Sequence, residues 1–216
     1  MEFIKFKKIP RLSRDIVITE KLDGTNGQIY IKNSYDFYSW FEHNTEAYED
    51  EAKKFFEKYC LYVDSKPERE FDLYIFAGSR KRWLDCSSNG DNNGFAKWVK
   101  DNAIELLKFG EGRYFGEWYG NGIQRKYGLD EKRFALFNVK KWSDDEIRPK
   151  CCEVVPILYE GIFDTKKIEE VLENLRINGS YAVPGYLNPE GIVIYHKASG
   201  QLFKKTILND KKPKTL

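Results

Sequence analysis

The sequence predicts an α+β fold with antiparallel sheets, and three observations carry that expectation. Short apolar or alternating runs follow one another in hairpin-like succession, and single helical patterns interrupt them. Neither a regular βαβ rhythm nor a G-x-G-x-x-G opening a helix occurs, so a dinucleotide fold is not expected. At 216 residues the chain suits a single domain, 1–216, with a core large enough to need no disulfide.

Each element has its own signal. Ile16, Val17 and Ile18 form an apolar run that stops at the turn Lys21-Leu22-Asp23-Gly24. Gln28 to Lys32 and Tyr35 to Trp40 read as two strands around an Asn33-Ser34 turn. Over 45–60 the period changes: Tyr48, Ala52, Phe55, Phe56 and Tyr59 share one helical face, with acids early and lysines later. A strand from Leu73 to Ala77 leads into the polar loop Gly78-Ser79-Arg80-Lys81-Arg82-Trp83. A second helix is expected over about 95–109, closed by Gly110. Strands at about 113–119 and 133–141 enclose a glycine-dotted loop at 119–123, for which a plain turn is an equally good reading. Asp164 caps a third helix, about 165–177, with Ile168, Val171, Leu172 and Leu175 inward. The last strands run from Gly191 to His196 and from Gln201 to Leu208.

Composition narrows the function classes. The net charge of +2 excludes a strongly basic nucleic-acid coat, although a lysine-rich tail follows from about 209. Cys60, Cys86, Cys151 and Cys152 lack the spacing of a zinc site, so free thiols in a reducing compartment are expected. The opening MEFIKFKKIP has no apolar leader, and no run is long enough to span a membrane. The expectation is a cytoplasmic protein of a bacterium or phage. His43 and His196 show no metal spacing and read as structural, and Ser87 and Ser180 lack the histidine and acid of a hydrolase.

The stretch ITEKLDGTNG raises the chemical question. Lys-x-Asp-Gly is weak alone: about one chain in twenty of this length would carry it by chance. A hairpin turn, with Asp23 and Gly24 supplying turn geometry, is the better reading of this stretch taken alone. As a nucleophile toward phosphorus, a lysine must present a neutral amine, which nearby cations or burial favour. Further along, Arg80 could fork onto phosphate or ribose oxygens or stand in a solvated loop. Glu117, among aromatics in FGEWYG, could accept ribose hydroxyls or face outward from its strand. Phe137 in FALFNV could stack on a base or lie in the core. Glu190 stands just before the apolar strand of PEGIVIY, and Lys204 and Lys205 lie near the end of the chain.

Taken in order, EKLDGTN, AGSR, FGEWYG, FALFNV, PEGIVIY and FKK resemble the motifs of the covalent nucleotidyltransferase superfamily, which comprises ATP-dependent RNA and DNA ligases and mRNA capping enzymes. The resemblance covers about 18–207. Asn26, where DNA ligases and capping enzymes typically carry arginine, makes the chain look most like a phage-type RNA ligase.

The resemblance implies two packed antiparallel β-sheets flanked by helices. Related ligases usually carry a further domain that engages the polynucleotide. The expectation of none here, where the last motif lies about ten residues from the end, is a departure from the family. By the resemblance Lys21 is adenylated by ATP, AMP passes to a 5′-phosphate end, and a 3′-hydroxyl is joined with release of AMP. The main chain at Glu20 would meet the adenine edge, and Asn26 would lie near the sugar-phosphate. Arg80 and Glu117 would hold ribose or phosphate, and Phe137 would stack under the base. Glu190 would organise Mg²⁺ or Mn²⁺. Lys204 and Lys205 depart from the usual Lys-x-Lys, and period-two alternation sends them to opposite faces, with Lys204 preferred toward the phosphate. The substrates implied are RNA ends, with DNA as the alternative, and a partner protein could supply further contacts. Basic-aromatic loops at Arg80–Trp83 and Arg125–Tyr127 could bind a strand directly or be ordinary loops. Competing readings are a small DNA ligase, a capping guanylyltransferase, or a non-catalytic module that binds nucleotides or RNA ends.

Overall fold

A computed structural model describes residues 3–208, so the tail expected from about 209 lies outside the described residues. In chain order the elements are β1 (Asp15–Lys21), β2 (Thr25–Asn33), α1 (Ser34–Asn44), α2 (Tyr48–Tyr59), β3 (Cys60–Asp64), β4 (Leu73–Gly78) and β5 (Trp83–Leu84). There follow α3 (Phe95–Asp101), α4 (Ala103–Leu106), a 3-10 turn (Leu107–Phe109), β6 (Gly112–Gly120), β7 (Lys132–Leu136), α5 (Val139–Trp142) and β8 (Glu153–Val154). The last are β9 (Ile157–Ile162), α6 (Thr165–Asn178), β10 (Gly191–His196) and β11 (Gln201–Thr206). The α+β class is the one observed. The chain forms two compact units: one comprises residues up to Leu22 and from Val155 onward, and the other runs from Asp23 to Val154.

The first unit holds a four-stranded antiparallel sheet in the order β11-β10-β1-β9. Ile16 and Ile18 of β1 and Ile192 and Ile194 of β10 point to one face, where Ile168, Val171 and Leu175 of α6 cover them. Each such buried side chain contributes about 1.5–3 kcal/mol. Asp164 starts α6 as expected, its side chain accepting from Lys166 N at 2.8 Å.

The second unit holds a seven-stranded sheet in the order β3-β4-β2-β6-β7-β8, with β5 paired to β4. Its β7–β8 pair is parallel, so this sheet is mixed rather than wholly antiparallel. One face, with Ile29, Ile31, Ile75 and Ala77, is buried under Phe95, Val99 and Leu106 of α3 and α4. On the opposite face, Phe37 and Phe41 of α1 and Phe55 of α2 pack on Tyr30, Tyr74 and Phe76.

Four sequence expectations need correction. Tyr35 to Trp40 is not a strand but part of α1. Asn33 caps it by accepting from Asp36 N at 2.7 Å, and Phe37 and Phe41, one turn apart, bury the same face. The helix expected over 95–109 breaks at Asn102, whose side chain donates to Trp98 O at 2.8 Å. The strand expected to 141 ends at Leu136, because the Asn138 side chain accepts from Lys141 N and starts α5. The last strand ends at Thr206, whose hydroxyl donates to Leu208 O at 2.8 Å. All four cysteines are free thiols, and among the described residues no helix is long and apolar enough to cross a membrane.

Candidate functional site

In the four-stranded sheet, β1 ends at Lys21, opposite Gly191 of β10. Lys21 Nζ donates to Glu190 Oε2 at 2.5 Å, with both side chains about four-fifths buried. Gly191 is needed there: a Cβ would lie 2.2 Å from the Lys205 carbonyl oxygen, and its φ is +157°. Backbone pairing thus brings β11 tightly against the strand that carries the acid. Ile207 N donates to the Glu190 carbonyl at 3.0 Å and fixes the acid's main chain.

Sheet register separates the two lysines of β11. Lys204 pairs with Val193, which pairs with Thr19; Lys205 pairs with Ile192, which pairs with Glu20. Cross-strand partners share a face, so Lys204 stands on the face of Thr19 and Lys21, and Lys205 on the α6 face. There Lys205 Nζ donates to Glu169 Oε1 of α6 at 2.5 Å.

Glu20 also faces α6, and its carboxylate is almost wholly buried. It accepts from Ser180 Oγ at 2.6 Å, Tyr181 N at 2.8 Å and Ala182 N at 2.9 Å. Burial raises its pKa above the ordinary carboxylate value, and the three hydrogen bonds oppose that shift. The Glu20 side chain therefore holds the loop after α6; of the main chain expected at the adenine edge, the amide is bonded to Pro156 O at 3.0 Å.

In the seven-stranded sheet, Asn26 of β2 pairs with Glu117 of β6, which pairs with Ala135 of β7. These residues lie on the face opposite the Ile29 and Ile31 core. Glu117 Oε1 accepts from Gly24 N at 3.1 Å, and its Oε2 accepts from Asn26 Nδ2 at 3.4 Å. Gly24 lies flat on β6, since a Cβ would meet the Trp118 carbonyl oxygen at 2.3 Å. Asp23 is fixed twice: its N–H donates to the Tyr127 hydroxyl at 2.7 Å, and its carboxylate accepts from Arg125 Nε at 2.8 Å.

Phe137 N donates to Phe115 O at 2.9 Å, which continues the β6–β7 ladder by one rung. Phe115 and Phe137 thus share the Glu117 face, 49% and 41% exposed. The structure brings Asn26, Glu117 and Phe137 onto one face of this sheet, as it brings Lys21 and Lys204 onto one face of the other. Arg80 stands exposed in the turn closed by Ser79 N and Arg82 O (2.8 Å), off the Asn26–Glu117 ladder.

Several loop residues considered for strand binding have internal duties instead. Arg82 donates to the carbonyls of Gly90 and Asp91, Arg125 holds Asp23, Tyr127 is buried, and Trp83 packs on Tyr30 and Phe76. Sequence reasoning missed the internal duties of Arg125, Tyr127 and Ser180 and did not single out Phe115. The first three act across separations of 102, 104 and 160 residues, where no local pattern points to a partner. For Phe115 a signal existed, since it alternates with Glu117 on one strand.

Among the described residues no group of three or more His, Cys, Asp or Glu side chains could enclose a metal ion. A lone Glu190 suits Mg²⁺ or Mn²⁺ of the kind that keeps most of its waters and takes further oxygens from phosphates.

The RNA ligase family model matches residues 14–206. The chain belongs to the RNA ligase family. Solved structures share this fold of the family. A Naegleria gruberi RNA ligase variant with ATP and Mn matches at 18% identity and TM-score 0.52, over 90% of this chain and 49% of that one. A second variant, with AMP and Mn, matches at 16% identity and TM-score 0.53, and an apo variant at 18% and 0.51, each over 90% of this chain and 50% of the other. This family member therefore spans about half the length of those structures. No curated protein matches.

Proposed function

We propose that the chain is the adenylating core of an ATP-dependent RNA ligase. The observation that carries this reading is the Lys21–Glu190 contact at the end of β1, inside the matched family region. The Naegleria relatives were solved with ATP or AMP and Mn, which supports ATP as the nucleotide and a divalent ion as its companion.

In the first step Lys21 Nζ attacks the α-phosphorus. An N–P bond forms, the bond to the bridging oxygen breaks, and pyrophosphate leaves. An oxygen of a 5′-phosphate end then displaces Lys21 and takes the AMP. Finally a 3′-hydroxyl attacks that 5′-phosphorus, loses its proton, and expels AMP. Each step is an in-line phosphoryl transfer in which positioning and charge stabilisation dominate.

This chain's own residues take distinct parts. Glu190 aims the Lys21 amine and would hold the metal. When bound, the ion offsets the charge of the triphosphate. Lys204, on the Lys21 face, places a second cation for the phosphate. Asn26 and Glu117 offer an amide and a carboxylate to the sugar, and Phe137 offers a ring face to the base. Arg80 serves as an exposed cation for phosphate oxygens.

The test is covalent labelling. The purified protein with Mg²⁺ and α-labelled ATP should carry label through a denaturing gel, and Lys21→Ala should carry none. Label from GTP but not ATP would make it a capping enzyme, and no label from either would make it a binding module. Transfer of the label to 5′-phosphorylated RNA in preference to DNA would complete the assignment.

A further inference from the structure

The charge balance of the chain conceals a local excess. Residues 3–14, FIKFKKIPRLSR, contain Lys5, Lys7, Lys8, Arg11 and Arg14 and no acid. The whole chain has 36 cationic and 34 acidic side chains, so removing these five leaves 31 against 34. Without this segment the chain would carry a net charge of −3.

Every residue of the segment is exposed, and none lies in a helix or strand. Phe3, Ile4, Phe6 and Ile9 are between 76% and 89% exposed, values that a chain folded against its own body would not leave. Among the described residues, none of the five cations forms an ion pair. The segment is an arm with a fixed root. His196 Nε2 donates to Leu12 O at 2.8 Å, and Phe163 N donates to Arg14 O at 3.0 Å. A carbonyl can only accept, so Nε2 carries the ring proton, and Nδ1 accepts from Ser199 N at 3.2 Å.

We infer that residues 3–14 form a nucleic-acid-binding arm that grips an RNA strand at a distance from the joined end; this rests on the ligase reading for the identity of the strand. The cations are interspersed with two aromatics, Phe3 and Phe6, and with Ile4, Ile9 and Leu12 without segregating to two sides, and Pro10 interrupts the segment. That pattern suits a single strand, whose phosphates and bases are likewise interspersed, and not an interfacial helix, which needs one apolar and one charged face. The root lies at the start of β1 and Lys21 at its end, six residue steps along one strand, or about 20 Å. The arm therefore meets nucleotides several positions away from the reacting phosphate, and an oligonucleotide too short to cover that distance does not reach it.

The experiment compares the full chain with a Lys5→Ala, Lys7→Ala, Lys8→Ala variant, and with a variant carrying arginine at all three positions. Binding of 5′-phosphorylated, fluorescently labelled RNA of 4 and of 18 nucleotides, about 14 and 60 Å at ~3.4 Å per nucleotide and so below and above the reach at issue, is read by anisotropy across a salt series. For the long RNA, the alanine variant should bind about tenfold more weakly, and its log–log salt slope should fall by about 2, three phosphate contacts at ~0.7 each. The short RNA should bind both proteins alike, and arginine should restore the long-RNA affinity. Self-labelling by ATP should be equal in all three, because the arm lies outside the chemistry. Equal affinity and slope for the long RNA would overturn the arm, as would loss of binding to phosphatidylserine vesicles with RNA affinity unchanged. If the parent protein takes no label from ATP, the ligase reading fails, while the RNA comparison still decides the arm.

Discussion

In the four-stranded sheet the candidate residues are charged: a lysine held by an acid, a second lysine two residues along the same face, and a buried carboxylate on the opposite face. In the seven-stranded sheet they are a carboxylate bonded to a backbone amide and a side-chain amide, beside two half-exposed aromatic rings. In the proposed reading the first set forms and breaks bonds to phosphorus, and the second recognises a sugar and a base. Damage to the first should appear in rates, and damage to the second in affinity.

The largest effect expected after loss of Lys21 itself contrasts the paired lysines of β11. Lys204→Ala should slow self-adenylation about 100-fold, the scale of removing one charge-stabilising group, with ATP affinity little changed. Lys205→Ala breaks an exposed ion pair with Glu169 and should cost at most about 1 kcal/mol, read as a small fall in Tm with the rate intact. Equal rate losses would show that β11 does not present its lysines as its register indicates.

Glu117→Ala should move the other quantity. Loss of charge-assisted hydrogen bonds, about 1.5–3 kcal/mol, should weaken ATP binding by roughly 10- to 100-fold in a Lys21→Ala background, measured calorimetrically. If affinity holds and only the labelling rate falls, the division of labour between the two sheets is wrong.

The smallest effect concerns Glu20. Its folded pKa is raised by burial, so the protonated form is the one the fold favours. That contribution is fully present below the unfolded carboxylate value and is lost as pH rises through the raised folded value. Glu20→Gln has no such titration, so the Tm of the parent relative to the variant should fall with rising pH across that window. Parallel Tm–pH curves would remove Glu20 as a titrating element of the fold.

How much of this was legible depends on the range of the interaction. The α6 helix showed itself through Asp164 and a helical apolar spacing, and β10 through an unbroken apolar run; both signals are local. The α1 helix was misread because aromatics at 35, 37 and 38 mimic a strand, whereas the Asn33 cap and the four-residue spacing of Phe37 and Phe41 carried the correct signal. Strand β9 went unseen because its side chains are mostly half-exposed, and its place is fixed by pairing to β1 more than a hundred residues earlier. The motif residues were legible as an ordered set. What they touch was not, since Asp23 meets Arg125 and Glu20 meets Ser180 through the fold alone.

Adjacent lysines on β11 also bear on how the strand tolerates change in chain length. A one-residue insertion at the Ala198-Ser199-Gly200 connection would slide β11 by one rung and exchange its faces. With lysines alternating, such a slip would leave the Lys21 face without a cation from β11. With Lys204 and Lys205 side by side, the slip hands one lysine's duty to the other, and the helix keeps a partner for Glu169. The doublet makes this strand robust to a class of mutation that a period-two pattern would not survive.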